Sequence, residues 1–409
     1  MTLTAAEQLF LELVNRARLD PEAEAARQKI PLNQGVSREI DDDAKQALAP
    51  NAILERAAEG HSRWMLDTDT FSHTGTGGSS PRGRMEAAGY RLTGDWATGE
   101  NLSVSATTGR INLNAVVADQ FNSLYASPSH RVGMMNEKYR ETGVAQVEGV
   151  FTQQGTNFNA SMITQKFGAT GTQAFVTGVI YNDRDRNDFY SIGEGSSGVA
   201  VSAGSARAQS AAAGGYGLAL RPGEDVAVAI GGARLRVDLS DGNVKVDLVN
   251  GNRILTSGDT VLVSGVREAR LLGEEDLSLR GSNASEILRG NRGESELYGG
   301  GGNDTLHGGS DKDYLNGGVG ADVSYFGGGH DRYEDTTDNG ALGADTVYGG
   351  TGNDWIHAGG GPDEVHGEAG NDTVFGGTGH DRLYGGDGAD QLNGGLGNDQ
   401  IWGATAMTG

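Results

Sequence analysis

From Gly281 to Trp402 the chain repeats every nine residues as G-G-x-G-x-D-x-U-x, with U a large apolar side chain. Thirteen units keep this register, six from Gly281 to Glu334 and seven from Gly340 to Trp402, with the five residues Asp335 to Asn339 set between them. A nine-residue period fits neither an amphipathic helix nor an ordinary compact core. It fits short parallel strands joined by glycine turns and stacked into a solenoid. The glycines take backbone angles that other residues avoid, and U residues such as Leu306, Leu315, Val347, Ile356, Val365, Val374, Leu383, Leu392 and Ile401 point into a thin core, with Ser324 the exception.

The sixth position is Asp in eleven units: Asp304, Asp313, Asp322, Asp331, Asp345, Asp354, Asp363, Asp372, Asp381, Asp390 and Asp399. Glu286 and Ser295 stand there in the first two. Residues 281–409 carry 5 basic against 21 acidic side chains and so hold most of the net charge of −23. Stacked carboxylates repel one another, and a glycine-rich backbone loses much entropy on ordering, so this segment is expected to stay disordered until a cation neutralises it. Carboxylate and carbonyl oxygens from neighbouring turns make a hard-cation site, and Ca²⁺ is the expected cofactor. The acidity makes nucleic acid a poor partner. Without a single Cys, every metal ligand must be N or O.

These units resemble the RTX (repeats in toxin) family of Gram-negative bacteria. The resemblance implies a calcium-bound parallel β-roll at 281–402, export by type I secretion machinery without an N-terminal signal peptide, and folding outside the cell. The start MTLTAAEQLFLELVNRAR lacks the pattern of a signal peptide, and no apolar run is long enough for a transmembrane helix. Residues 403–409 form a short tail where the family's export signal is usually longer, so an atypical signal or a truncated chain is expected.

Residues 1–180 read as an α+β domain. Thr4-Ala5-Ala6-Glu7 is a capping box that opens a helix running to Asp20-Pro21. Further helices are expected from Asn51 to Leu66, from Ser80-Pro81 to Gly89, and from Leu113 to a stop at Pro128. Strands at 142–150, 159–167 and 174–181 are expected to form a small antiparallel sheet. Residues 181–280 read as a β-sandwich-like module with a strand at 226–230, a loop over 203–215 and a hairpin pairing Leu235, Val237 and Leu239 with Val244, Val246 and Leu248.

At the junction, Asp183, Asp185, Asn187, Ser191 and Glu194 fall at positions 1, 3, 5, 9 and 12 of an EF-hand-type loop, with the carbonyl of Phe189 at position 7. Asp188 replaces the usual glycine of position 6. The segment VIYNDRDRNDFYSIGEG resembles the calcium loop that introduces bacterial prealbumin-like or Cna-B-type modules. A solvated acidic turn is the other reading.

His73, Glu100 and His130 are the candidate metal-ligating residues of the first domain. Two imidazoles and a carboxylate are the ligand set of an open Zn²⁺ or other divalent-metal site, although separations of 27 and 30 residues alone do not bring them together. The segments HSRWM, FSH, GENLS, SPSHRVGMM and ETGV occur in the order seen in the CAP superfamily of cysteine-rich secretory, antigen 5 and pathogenesis-related proteins. This likeness spans residues 9–180 and is strongest to the cysteine-free bacterial SCP-like form. It implies an α-β-α sandwich whose cleft is lined by a His/Glu tetrad. His73, Glu100 and His130 match three members, and the fourth, an acidic residue, falls near Leu124. His61 reads instead as a core residue beside Ala57, Ala58 and Met65.

The expected whole is a multidomain α+β extracellular protein whose roll folds on calcium and whose cleft takes a metal, lipid or peptide. A metal-assisted hydrolase with Glu100 as ligand or general base is the alternative, with Ser72 and Ser129 incidental; a structural or adhesive surface protein is another.

Overall fold

The computed structural model describes residues 3–223, 225–335 and 343–403. The insertion at 336–339, the restart at Gly340 and the tail 404–409 lie outside the described residues. Two compact units result: residues 1–231 with 239–251, and residues 232–238 with 252–409. Residues 181–280, read from the sequence as one module, are shared between the two.

In the first unit, helix α1 (Ala5–Leu19) opens on the expected capping box, with Thr4 and Glu7 satisfying each other's backbone N–H. It is followed by α2 (Pro21–Gln28), α3 (Ala52–Asp67), α4 (Pro81–Ala87), α5 (Leu113–Ala126) and α6 (Pro128–Met134). Side chains cap four of these starts: Asp20 for α2, Asn51 for α3, Ser80 for α4 and Asn112 for α5. The sheet has four strands, β1 (Ala49–Pro50), β2 (Ala97–Thr107), β3 (Glu141–Gln153) and β4 (Thr156–Ala169), in the order β1-β3-β4-β2.

Alternation along β4 sends Ile163 and Phe167 to one face, where they join Phe10 and Val14 of α1 and Phe121 of α5. Met162 goes to the other face, against Met65 and Leu66 of α3 and Leu102 of β2. Helices on both faces make the α-β-α sandwich that the CAP resemblance implies. Gly143 of β3 lets α3 approach, because a Cβ there would collide with the backbone of Leu54 and Glu55. The ETGV segment thus has a packing reason to keep its glycine.

Three local expectations differ. Strand β5 (Ala174–Tyr181) leaves the four-stranded sheet and pairs antiparallel with Gly215–Leu220 and parallel with Val244–Val249. The expected hairpin does not form, since Ala233–Val237 pairs antiparallel with Thr260–Ser264. The 203–215 loop instead contains a hairpin strand, Ala206–Gln209, paired with Ala200–Ala203. The first two follow from non-local pairing, which alternation alone does not reveal; the third is a local hairpin that turns at Gly204, φ 52, in a stretch of small residues without apolar alternation.

The second unit is a parallel β-solenoid. Each turn takes two nonapeptides, so partners in a sheet are 18 residues apart: Leu288, Leu306 and Ser324 align in one column, Leu279, Leu297 and Leu315 in the other. Turns begin ahead of Gly281, with the non-repeat strands Arg253–Thr256 and Glu268–Leu271 already paired parallel. The column crosses the insertion without losing register, and Ser324 pairs with Val347 at an offset of 23. The exception at Ser324 lies in the nonapeptide just before fully buried Tyr333, so a small and a large side chain share one turn of the thin core.

Gly350 has φ +87, and a Cβ there would strike the carbonyl oxygen of Gly327 in the preceding turn. Gly350→Ala is therefore expected to cost roughly 1–3 kcal/mol through backbone strain alone. A lowered melting transition of the calcium-loaded second unit checks this. Gly403→Ala, with open space around its Cβ, is the control expected to leave the transition in place.

Candidate functional site

Each sixth-position aspartate stands immediately before a strand. Its Oδ1 accepts the backbone N–H of the equivalent residue one turn earlier. The distances are 2.7 Å for Glu286 to Asp304, Ser295 to Asp313, Asp304 to Asp322 and Asp313 to Asp331. The ladder continues through Asp345, Asp354, Asp363, Asp372, Asp381, Asp390 and Asp399 at 2.8 to 3.1 Å. One oxygen of each carboxylate therefore holds the turns in register.

The second oxygen has a different fate. In Asp304, Asp313, Asp331, Asp354, Asp372, Asp381 and Asp390, Oδ2 is buried and has no hydrogen-bond partner among the described residues. At Gly308 a Cβ would lie 2.6 Å from Asp313 Oδ2 and 2.5 Å from the Phe326 carbonyl oxygen; at Gly367 it would lie 2.5 Å from both Asp372 Oδ2 and the Gly385 carbonyl oxygen. Each glycine thus leaves room beside an oxygen-only donor set, where Ca²⁺ fits and softer metals do not. Burial raises the carboxyl pKa values, with like charge from neighbouring turns adding to the rise. Asp304, Asp331 and Asp354 reach about 7, Asp313 about 6 and Asp345 about 8.

The first two units are built differently. Glu286 is bonded by the hydroxyl and, at 3.2 Å, by the N–H of Ser282, and Ser295 Oγ accepts from Asn291 N at 3.2 Å. Here the chain itself supplies the partners.

In the 183–194 loop, carboxylate oxygens of Asp183, Asp185 and Glu194 lie within 4.8 Å of one another. Buried Glu194 accepts N–H groups of Arg184 at 2.7 Å and Ser191 at 3.0 Å, closing the loop. Asn187 and Ser191 both donate to Asp185 Oδ2, at 3.0 and 2.8 Å, and Asn187 Oδ1 accepts from Phe189 N at 2.7 Å. Asp188 adopts φ 59, the left-handed angle for which the EF-hand loop uses glycine.

The cleft of the first unit is built around Glu100. Register places Glu100 on β2 directly opposite Lys166 on β4, and the two side chains pair, 1% and 0% exposed. Arg84 from α4 grips both Glu100 oxygens at 2.8 and 3.1 Å, and His73 Nδ1 lies 2.8 Å from Oε1. Since the carboxylate accepts, Nδ1 donates. Burial favours protonation of Glu100, but the His73 hydrogen bond and the charges of Lys166 and Arg84 hold its pKa at about 2. Burial lowers Lys166 to about 8 against the opposing pull of Glu100.

His130 bonds Ser127 Oγ at 2.7 Å, and its pKa is lowered by burial and by the charge of His73. His61 is buried in α3, stacked on Trp64 and 2.9 Å from the Ser72 carbonyl through Nε2, which must carry the proton. Burial lowers its pKa to about 4. Leu124, where the fourth tetrad acid would fall, is 2% exposed in the apolar core.

The structure thus gathers His73 and Glu100 but surrounds the carboxylate with two cations. This donor set does not fit a divalent metal: the carboxylate is already neutralised, and an added cation would meet Arg84 and Lys166. Sequence reasoning missed both of these residues. Lys166 had a signal, the lone charge in the otherwise uncharged stretch ASMITQKFGA; Arg84 had none.

Comparison with known proteins agrees with the two-part organisation. The cysteine-rich secretory protein family, CAP, matches residues 11–159. The RTX calcium-binding nonapeptide repeat matches four times, at 280–315, 298–333, 339–374 and 366–401. Among solved structures the chain is similar to an outer surface protein from Borrelia burgdorferi, at 22% identity over 30% of this chain and 78% of that one, with a TM-score of 0.23. It is also similar to an extracellular protein containing an SCP domain from Bacillus anthracis str. Ames, at 21% identity over 39% of each chain and a TM-score of 0.23. A search of curated proteins finds no match.

Proposed function

We propose that this chain, with a CAP domain ahead of RTX calcium-binding repeats, is a secreted protein whose solenoid folds on calcium outside the cell and whose first unit presents a ligand-binding cleft. The observation that carries the reading is the set of buried Oδ2 atoms, from Asp304 and Asp313 to Asp381 and Asp390, that have no hydrogen-bond partner among the described residues. Extracellular calcium modules bind at about 10⁻⁴–10⁻³ M, so the segment stays unfolded in a cytoplasm poor in free calcium and folds on release. That sequence of events suits type I export from a Gram-negative cell. The 183–194 loop adds one further calcium site, supported by its converging oxygens and the left-handed Asp188.

A hydrolase finds less support at this cleft. With its pKa near 2, Glu100 is a poor general base at neutral pH, and its oxygens are already bonded. Counting bound ions tests the main reading. Native mass spectrometry of the full chain is expected to show several calcium ions, fewer in Asp372→Asn, and one fewer in Asp185→Ala. A count of zero or one in the unaltered chain would refute it.

A further inference from the structure

We propose that the cleft beside Glu100 binds an acidic saccharide, a hydroxylated ring bearing a carboxylate. The cleft has a volume of 450 Å³ and is lined by His73, Ser80, Arg82, Trp96, Thr98 and Glu100, among others. In a chain of net charge −23 its charge balance is inverted. Arg82, Arg84 and Lys166 face two carboxylates, Glu100 and the more distant Glu86, which reaches Arg82 only at 4.0 Å. One positive charge is left over, partly out of water. An oxyanion supplies the missing counter-charge, whereas a metal cation adds to the excess.

The rest of the lining matches the ring that would carry the anion. Trp96 is 46% exposed, unusual for so large an apolar side chain, and the Arg82 guanidinium lies 5.5 Å from its ring centroid. An aromatic ring beside an arginine offers a platform for the apolar face of a pyranose and a donor pair for its carboxylate. His73, tied to Glu100 through Nδ1, lines the cleft and offers its ring as a hydrogen-bond partner for a sugar hydroxyl. The hydroxyl groups of Ser80 and Thr98 complete a lining that suits hydroxylated ligands better than acyl chains.

This inference rests on reading the first unit as a ligand-binding domain, and it is tested on the calcium-loaded full chain. The probes are digalacturonate, its neutral counterpart digalactose, and Zn²⁺, followed by calorimetry. Digalacturonate is expected to bind with Kd on the order of 1 mM or tighter. Binding should fall about tenfold or more in Arg82→Ala and in Trp96→Ala, by roughly the free energy of one charge-assisted or stacking contact. Both side chains are about half exposed, so the fold is expected to survive, and an unchanged melting transition verifies it. Equal binding of digalactose, stoichiometric Zn²⁺ binding lost in His73→Ala, or no heat with digalacturonate would each overturn the proposal. Calcium-induced folding, followed on the same samples, reports separately on the solenoid, so failure at the cleft is not mistaken for failure of the wider reading.

Discussion

Stripping calcium from the full chain with a chelator at neutral pH is expected to unfold residues 299–402 while the helices of the first unit keep their far-ultraviolet signal. Asp304, Asp313, Asp331, Asp345 and Asp354 all hold raised pKa values in the ion-free solenoid, so ionising them inside the fold is unfavourable. Even at one pKa unit apiece, the five together cost about 7 kcal/mol. That equals the whole stability of many domains, about 5–15 kcal/mol. Calcium removes the penalty by neutralising the same oxygens. The pH dependence follows with a definite sign. A carboxyl group whose pKa is raised by folding stabilises the fold below its unfolded value near 4, and that stability is lost as pH rises toward 6–8. The chelated solenoid is therefore expected to regain structure near pH 4 and to be least stable above about pH 8. Hydrogen exchange resolved along the chain checks both statements. The turns at 281–298, where Ser282 and Asn291 satisfy Glu286 and Ser295, should keep protection longest after calcium is withdrawn. Chelation without effect on strands 305–402 would refute the calcium role.

The solenoid was legible because its chemistry demands particular residues at fixed intervals. Glycine is needed where a Cβ would fill the oxygen-lined space, as at Gly308 and Gly367, and aspartate where one oxygen must reach back a full turn. Helix starts were equally plain, since Thr4, Asn51 and Ser80 each cap the backbone within three residues of themselves. Strand partners were not legible. Strand β2, ATGENLSVSAT, is a half-buried edge strand without clear apolar alternation. Strand β5 is buried throughout, so its side chains carry no record of which neighbour it joins. The cleft shows the same division. His73, Glu100 and His130 stand out through a family resemblance. The partners that set their chemistry, Arg84 and Lys166, lie 16 and 66 residues from Glu100 and meet it only through the register of β2 on β4 and the placing of α4.

Replacing Glu100 with Ala is expected to destabilise the first unit by roughly 3–5 kcal/mol, the cost typical of removing one partner from a buried ion pair. The substitution leaves the charges of Lys166, fully buried, and Arg84, 12% exposed, side by side with no counter-charge. Lys166→Met is the informative comparison. It removes the amine but leaves the Arg84 and Glu100 pair intact at 2.8 Å, and it fills the vacated space with an apolar chain of similar length. Its cost should be well below that of Glu100→Ala, because Glu100 keeps Arg84 and His73 as partners and is not left as an unpaired buried charge. In the Glu100→Ala protein, Lys166→Met is even expected to restore stability, since it deletes one of two unpaired cations. A double-mutant cycle on the melting of the first unit, followed through the helical signal, measures this coupling. Additive losses from the two substitutions would show that Glu100 and Lys166 do not depend on each other, and the ion-pair account of the cleft floor would be wrong.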